Sequence, residues 1–235
     1  MRRLALALPL FALLLGACDP EARLGPSCPV PAEGGLLLWN GVESFVPGAA
    51  VPLVPFHATR PGAYEALDAS CLRRIELSPE EAGRIERTAD GTVTLRIADD
   101  APLGEVFGVR ADYGGQVLRS RFSVYLPERS PLVGYWRQTP HGCAPDSAIG
   151  ELVFSADGTF SVTWQPFEAY RDYWGTWDHD PASGWLELTV EGGNNTPVGV
   201  ASGTVVVDAA GMALVSASFG RRREHVPECR NPFPR

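Results

Sequence analysis

Short runs in which apolar and polar residues alternate recur along most of the chain, and turn dipeptides separate them. Thr92-Val93-Thr94-Leu95-Arg96-Ile97 is the clearest run, with Val93, Leu95 and Ile97 on one face of a strand. Turn signals stand at Asn40-Gly41, Asp90-Gly91, Gly114-Gly115, Asp157-Gly158, Ser183-Gly184 and Gly192-Gly193. Almost nothing carries a helical period. Ser78-Pro79-Glu80-Glu81-Ala82 predicts a single helical turn with the serine as its N-cap. The pattern predicts an all-β protein.

The strands fall into two groups. In residues 35–126, runs at 36–39, 50–56, 72–77, 84–87, 92–97, 106–110 and 116–125 predict a sandwich of about seven strands. Its order of features is Pro47-Gly48 before a strand, Asp90-Gly91-Thr92-Val93 in mid-domain, Ala101-Pro102-Leu103-Gly104 late and Phe122-Ser123-Val124-Tyr125 at the end. That order resembles bacterial immunoglobulin-like domains, which implies an immunoglobulin-like sandwich and no chemistry. Residues 127–131, Pro-Glu-Arg-Ser-Pro, read as a stiff linker.

Residues 132–235 predict about eight strands in up-and-down order, a small antiparallel β-barrel. Strands are expected at 132–136, on both sides of Asp157-Gly158, at 173–177, 185–190, 203–207 and 212–218, and near 221–226. The opening Gly134-Tyr135-Trp136 resembles the Gly-x-Trp motif of lipocalins (calycins). The resemblance implies that Trp136 closes one barrel end and that a late arginine packs on its ring. Arg221, Arg222 and Arg223 are the candidates. At about 104 residues the domain is shorter than a typical lipocalin, and no helix follows its last strand.

The first residues change the picture. Met1-Arg2-Arg3 is followed by an apolar stretch, residues 4–15, interrupted only by Pro9. This has signal-peptide form and is too short to span a bilayer, which takes about 20 residues. Leu15-Gly16-Ala17-Cys18 resembles the bacterial lipobox. That resemblance implies cleavage after residue 17 and a lipid, with acyl chains such as palmitate, on the Cys18 thiol. Each buried methylene adds about 0.8 kcal/mol of anchoring. The expected product is a lipoprotein at the bacterial cell envelope, facing the periplasm or the exterior. Asp19 resembles an enteric inner-membrane retention signal, but inner and outer membrane both stay open. Residues 18–34, rich in proline and glycine, read as a tether.

Composition sharpens the compartment and removes some functions. Apart from Cys18, the cysteines are Cys28, Cys71, Cys143 and Cys229, an even set in an oxidising compartment. They allow three pairings, and Cys28–Cys71 with Cys143–Cys229 keeps each bridge within one domain. The chain has no lysine, which excludes Schiff-base catalysis. Loss of Arg2 and Arg3 takes the net charge from −8 to −10, which argues against nucleic acid as a partner. No metal, cofactor or catalytic motif is legible. His57, His141 and His225 are scattered, and Asp178-His179-Asp180 reads as a solvated hairpin loop. Five of the six tryptophans lie in the second domain, and Trp164, Tyr170, Trp174 and Trp177 are the candidate ligand-binding residues. Glu168 and Asp172 beside them read as a solvated acidic loop. The favoured function is a non-enzymatic interaction or scaffold module contacting another envelope protein. The alternative is a binder of a small apolar ligand in the barrel.

Overall fold

The computed structural model describes residues 28–30, 34–39, 42–60, 63–164 and 171–235. The expected signal peptide, Cys18, most of the tether, Asn40-Gly41, Glu168 and Tyr170 lie outside the described residues. No helix among the described residues is long and apolar enough to cross a membrane.

The protein is all-β. Its only helical pieces among the described residues are two 3-10 turns, Ala69–Cys71 and Glu80–Ala82. The second stands where a turn was expected, but its N-cap is Pro79 and no side chain caps it. Ser78 is still the last residue of a strand, so its hydroxyl is not at the cap position.

The first domain holds β1 (Gly35–Leu37), β2 (Val42–Phe45), β3 (Ala50–Pro52), β4 (Phe56–Arg60), β5 (Ala63–Ala66), β6 (Leu72–Ser78), β7 (Gly83–Arg87), β8 (Val93–Ile97), β9 (Val106–Tyr113) and β10 (Gln116–Val124). The sheet β2-β10-β9-β6 shares one core with the sheet β3-β8-β7, and β1-β4-β5 forms a third. The result is an immunoglobulin-like sandwich in which β2 runs parallel to β10. Val93, Leu95 and Ile97 point inward against Phe107, Val109 and Phe122, as the alternation of β8 predicts. Burying side chains of this size contributes about 1.5–3 kcal/mol each. The run 50–56 is two strands rather than one, because Pro52 and Pro55 have no N–H to give to a ladder. The β9–β10 hairpin turns on Gly114 and Gly115, with φ of 53° and 86°. Positive φ at both central residues is what a two-residue I′ turn requires.

The second domain holds β11 (Gly134–Trp136), β12 (Glu151–Phe154), β13 (Thr159–Thr163), β14 (Tyr173–Asp180), β15 (Trp185–Gly193), β16 (Val198–Ala201), β17 (Gly203–Asp208), β18 (Gly211–Leu214), β19 (Ser218–Arg221) and β20 (Phe233–Pro234). Eight of them form one antiparallel, nearly closed barrel in the order β11-β12-β13-β14-β15-β17-β18-β20, while β16 and β19 pair separately. The run 212–218 is therefore divided between β18 and β19, and residues 222–226 are turn, not strand. Gly192-Gly193 is not a turn either but the end of β15, opposite Trp174 and Tyr173. A Cβ on Gly193 would lie 2.5 Å from the Asp172 carbonyl oxygen, so glycine there permits close strand approach.

Side chains close the seam near the first and last barrel strands. The Gln138 amide donates to the carbonyls of Cys229 (2.7 Å) and Asn231 (2.9 Å), and its oxygen accepts from the Ile149 N–H (3.1 Å). Asn231 Nδ2 donates to the Thr139 and His141 carbonyls, and the Thr139 N–H donates to Pro232 O. The disulfide Cys143–Cys229 spans the same seam with Cα atoms 5.4 Å apart. Cys28–Cys71 is the other bridge, Cα to Cα 5.7 Å, and it holds Cys28 and Val30 against the sandwich core. Both pairings are the expected ones, and Cys28–Cys71 ties Cys28, in the expected tether, to the sandwich.

Candidate functional site

Of the four aromatic residues expected to share a ligand, Trp164, Trp174 and Trp177 do not gather at one place. Trp164, at the end of β13, is buried at 3% exposure and stacks on Tyr173, ring centroids 5.7 Å apart. Trp177, on the inward face of β14, packs edge-on against Phe154 at 5.0 Å and donates its Nε1–H to the Ser155 and Thr159 carbonyls. Trp174 faces outward at 40% exposure, and its indole covers Gly192 of β15. Strand alternation had already set Trp174 and Trp177 on opposite faces. Tyr170 lies outside the described residues.

The barrel interior is occupied by its own side chains. Leu152, Phe154, Phe160, Val162, Leu186, Phe219 and Phe233 form its core, with Leu188 packed beside them. Phe154 touches the rings of Phe160, Trp177 and Phe219. Tyr173 is fully buried and donates its hydroxyl to Phe219 O at 2.6 Å. Burial pushes that phenol well above its ordinary pKa, so it stays a neutral donor.

Asp172 is not a solvated loop residue. It is 2% exposed, and its carboxylate accepts the Trp164 backbone N–H at 2.8 Å. A buried carboxylate needs such a donor, and this one fixes the start of the loop that joins β13 to β14. The Trp164 Nε1–H is buried and has no partner among the described residues.

Trp136 carries the expected cation–π contact, but from a different arginine. Arg235 sits over its ring, guanidinium carbon 5.7 Å from the centroid. Arg222 instead pairs with Asp146 at 3.7 Å. Arg235 follows β20, whose pairing with β18 returns the chain to the Trp136 end, whereas Arg221 to Arg223 leave with the separate β16–β19 ribbon. The Trp136 Nε1–H donates to Leu132 O at 2.6 Å, which fixes the ring.

Asp178-His179-Asp180 completes β14 and its turn. The Asp180 carboxylate accepts the Ala182 N–H and the Ser183 hydroxyl, bonds that hold its pKa below the ordinary range. His179 points the other way, and burial lowers its pKa. No group of three or more His, Cys, Asp or Glu side chains suited to a metal occurs among the described residues.

What the barrel does offer outward is an apolar strip that sequence reading missed. Trp185 is 48% exposed and stands directly opposite Thr204 of β17. Val206 (51%) follows on the same face of β17, Ala213 of β18 pairs with it, and Val215 (58%) lies just beyond. Alternation with inward Val205 and Met212 marks these as outward positions, which was the available signal. Exposed apolar side chains placed side by side mark contact surfaces more often than scattered ones do.

The domains also touch each other. The Tyr135 hydroxyl donates to Glu43 Oε1 at 3.4 Å, and the Ala156 N–H donates to Ser44 Oγ at 2.9 Å. Burial raises the Glu43 carboxyl pKa, partly offset by the Tyr135 bond. The Tyr135 ring stays largely exposed, but its hydroxyl end is pushed up to about 12 by desolvation, then by the nearby Glu43 and Glu151 charges.

The chain matches no family model, no curated protein and no solved structure.

Proposed function

We propose that this chain is a lipid-anchored extracytoplasmic interaction module of a bacterial cell envelope, acting by protein contact and without catalysis. The apolar strip of Trp185, Val206, Ala213 and Val215 carries the reading, because it is presented outward from a barrel whose core is complete without it. Two further features support the address: the lipobox at Cys18, and a disulfide in each domain, which needs an oxidising compartment. The filled interior weighs against the alternative, a small apolar ligand held inside the barrel.

A photo-crosslinking side chain at Val206 of the membrane-anchored protein, activated in living cells, tests this. The expected result is a discrete protein adduct that disappears when Val215→Glu is added. Adducts to lipid alone, or none at all, would overturn the protein-contact reading.

A further inference from the structure

The outer face of the sandwich sheet β2-β10-β9-β6 carries a groove of about 920 Å³. Arg119 and Arg121, two residues apart on β10, both point outward along it. Arg119 is paired across the ladder with Arg110, and Arg110 with Glu76. The Arg110–Glu76 ion pair, at 3.0 Å, accounts for one cation and one anion. Arg119 and Arg121 have no hydrogen-bond or ion-pair partner for their guanidinia among the described residues. Two such unpaired cations side by side repel each other, in a chain whose net charge is −8. Gly108 stands between Arg121 and Ser78 and has no side chain, so the floor there is bare backbone. Trp39 also lines the groove, and its Nε1–H donates to the Arg121 carbonyl at 2.5 Å. The ring is half-buried, with Phe45 and Phe122 at 6.0 and 6.4 Å in edge-to-face contact, and the part of it that lines the groove is what a ligand can meet.

We propose that this groove binds an acidic saccharide. Its carboxylate pairs with the forks of Arg119 and Arg121, since guanidinium matches carboxylate in planar, bidentate geometry. The apolar face of a sugar ring packs on Trp39. Sugar hydroxyls donate to Glu80, which also lines the groove, and to the Ser78 oxygens. Donors all round each ring favour a saccharide over a polyphosphate, and an acidic peptide, whose backbone N–H groups also donate, is the competitor that the test includes. The site is on the other domain from the apolar strip and does not depend on it.

Titration calorimetry of the full-length, detergent-solubilised protein with a trimer of galacturonic acid tests the proposal. Maltotriose and a triglutamate peptide serve as the neutral-sugar and acidic-peptide comparisons. We expect saturable binding of the acidic trimer, at least tenfold tighter than either comparison. Binding falls at least tenfold in Arg119→Ala/Arg121→Ala, whose exposed positions leave the melting temperature unchanged. Val206→Glu leaves it unaltered, which separates this site from the barrel strip. No binding of the acidic trimer, equal binding of triglutamate, or indifference to the double substitution would overturn it.

Discussion

The two domains finish their sheets by different means. The sandwich brings β2 beside β10 as a parallel strand, so ordinary backbone hydrogen bonds complete the layer. The barrel joins its ends with one backbone bond, Thr139 N–H to Pro232 O, and otherwise through Gln138, Asn231, the Cys143–Cys229 bridge and Arg235 on Trp136. The sandwich thus depends on register, which any sequence of the right alternation supplies, and the barrel depends on named side chains. The domains also differ outside: the sandwich face presents arginines and glutamates, and the barrel wall presents tryptophan and valine.

Core truncation should separate the domains most strongly. Phe154→Ala removes a ring that touches three others and should cost the barrel about 3–5 kcal/mol, leaving the sandwich transition in place. Chemical denaturation followed by near-UV circular dichroism would register this, and a single shared transition would show the domains to be one cooperative unit. Removing Cys143–Cys229 as a serine pair should cost about 2–5 kcal/mol. The loss should exceed that for Cys28–Cys71 by roughly 0.6 kcal/mol, because the residue separation is 86 against 43. Gln138→Ala leaves two carbonyls and an N–H of the seam unpartnered and should cost the barrel about 1–3 kcal/mol. Arg235→Ala, which loses only the cation–π contact, should cost about 0.5–1 kcal/mol.

The smallest effect lies between the domains and depends on pH. Glu43 has a raised pKa in the folded state, so folding favours its protonated form. Its contribution is fully present below the unfolded carboxylate value and is lost as pH rises through the folded one. Glu43→Gln should therefore raise the melting temperature slightly at neutral pH, and the difference should vanish below roughly pH 4. Melting curves across that range decide it, and a difference that grew on acidification would contradict the assignment.

Most of the fold was legible because period-two alternation and turn chemistry are local. The hairpins at Gly114-Gly115 and Asp157-Gly158 fall where their residues demand. Gly192-Gly193 misled because a glycine pair serves a turn and a close strand approach equally well, and only the strand opposite decides. Arg221, Arg222 and Arg223 stand where the resemblance implies a late arginine, whereas the strand order that brings Arg235 onto Trp136 is a long-range fact. Trp164, Trp174 and Trp177 fail to converge for the same reason. Their spacing along one strand showed that Trp174 and Trp177 diverge, but the position of Trp164 in the core depends on Tyr173 and the buried Asp172.

The proposed function makes this doubly bridged chain an exported lipoprotein that works through its outer surfaces. Native mass spectrometry of the protein, gently extracted in detergent from its own membranes, tests this most directly. The account predicts a chain starting at Cys18 with diacylglycerol attached, four hydrogens lighter than the all-thiol form, and no small molecule released on denaturation. An unmodified amino-terminal cysteine, free thiols, or a stoichiometric apolar ligand set free by unfolding would contradict it.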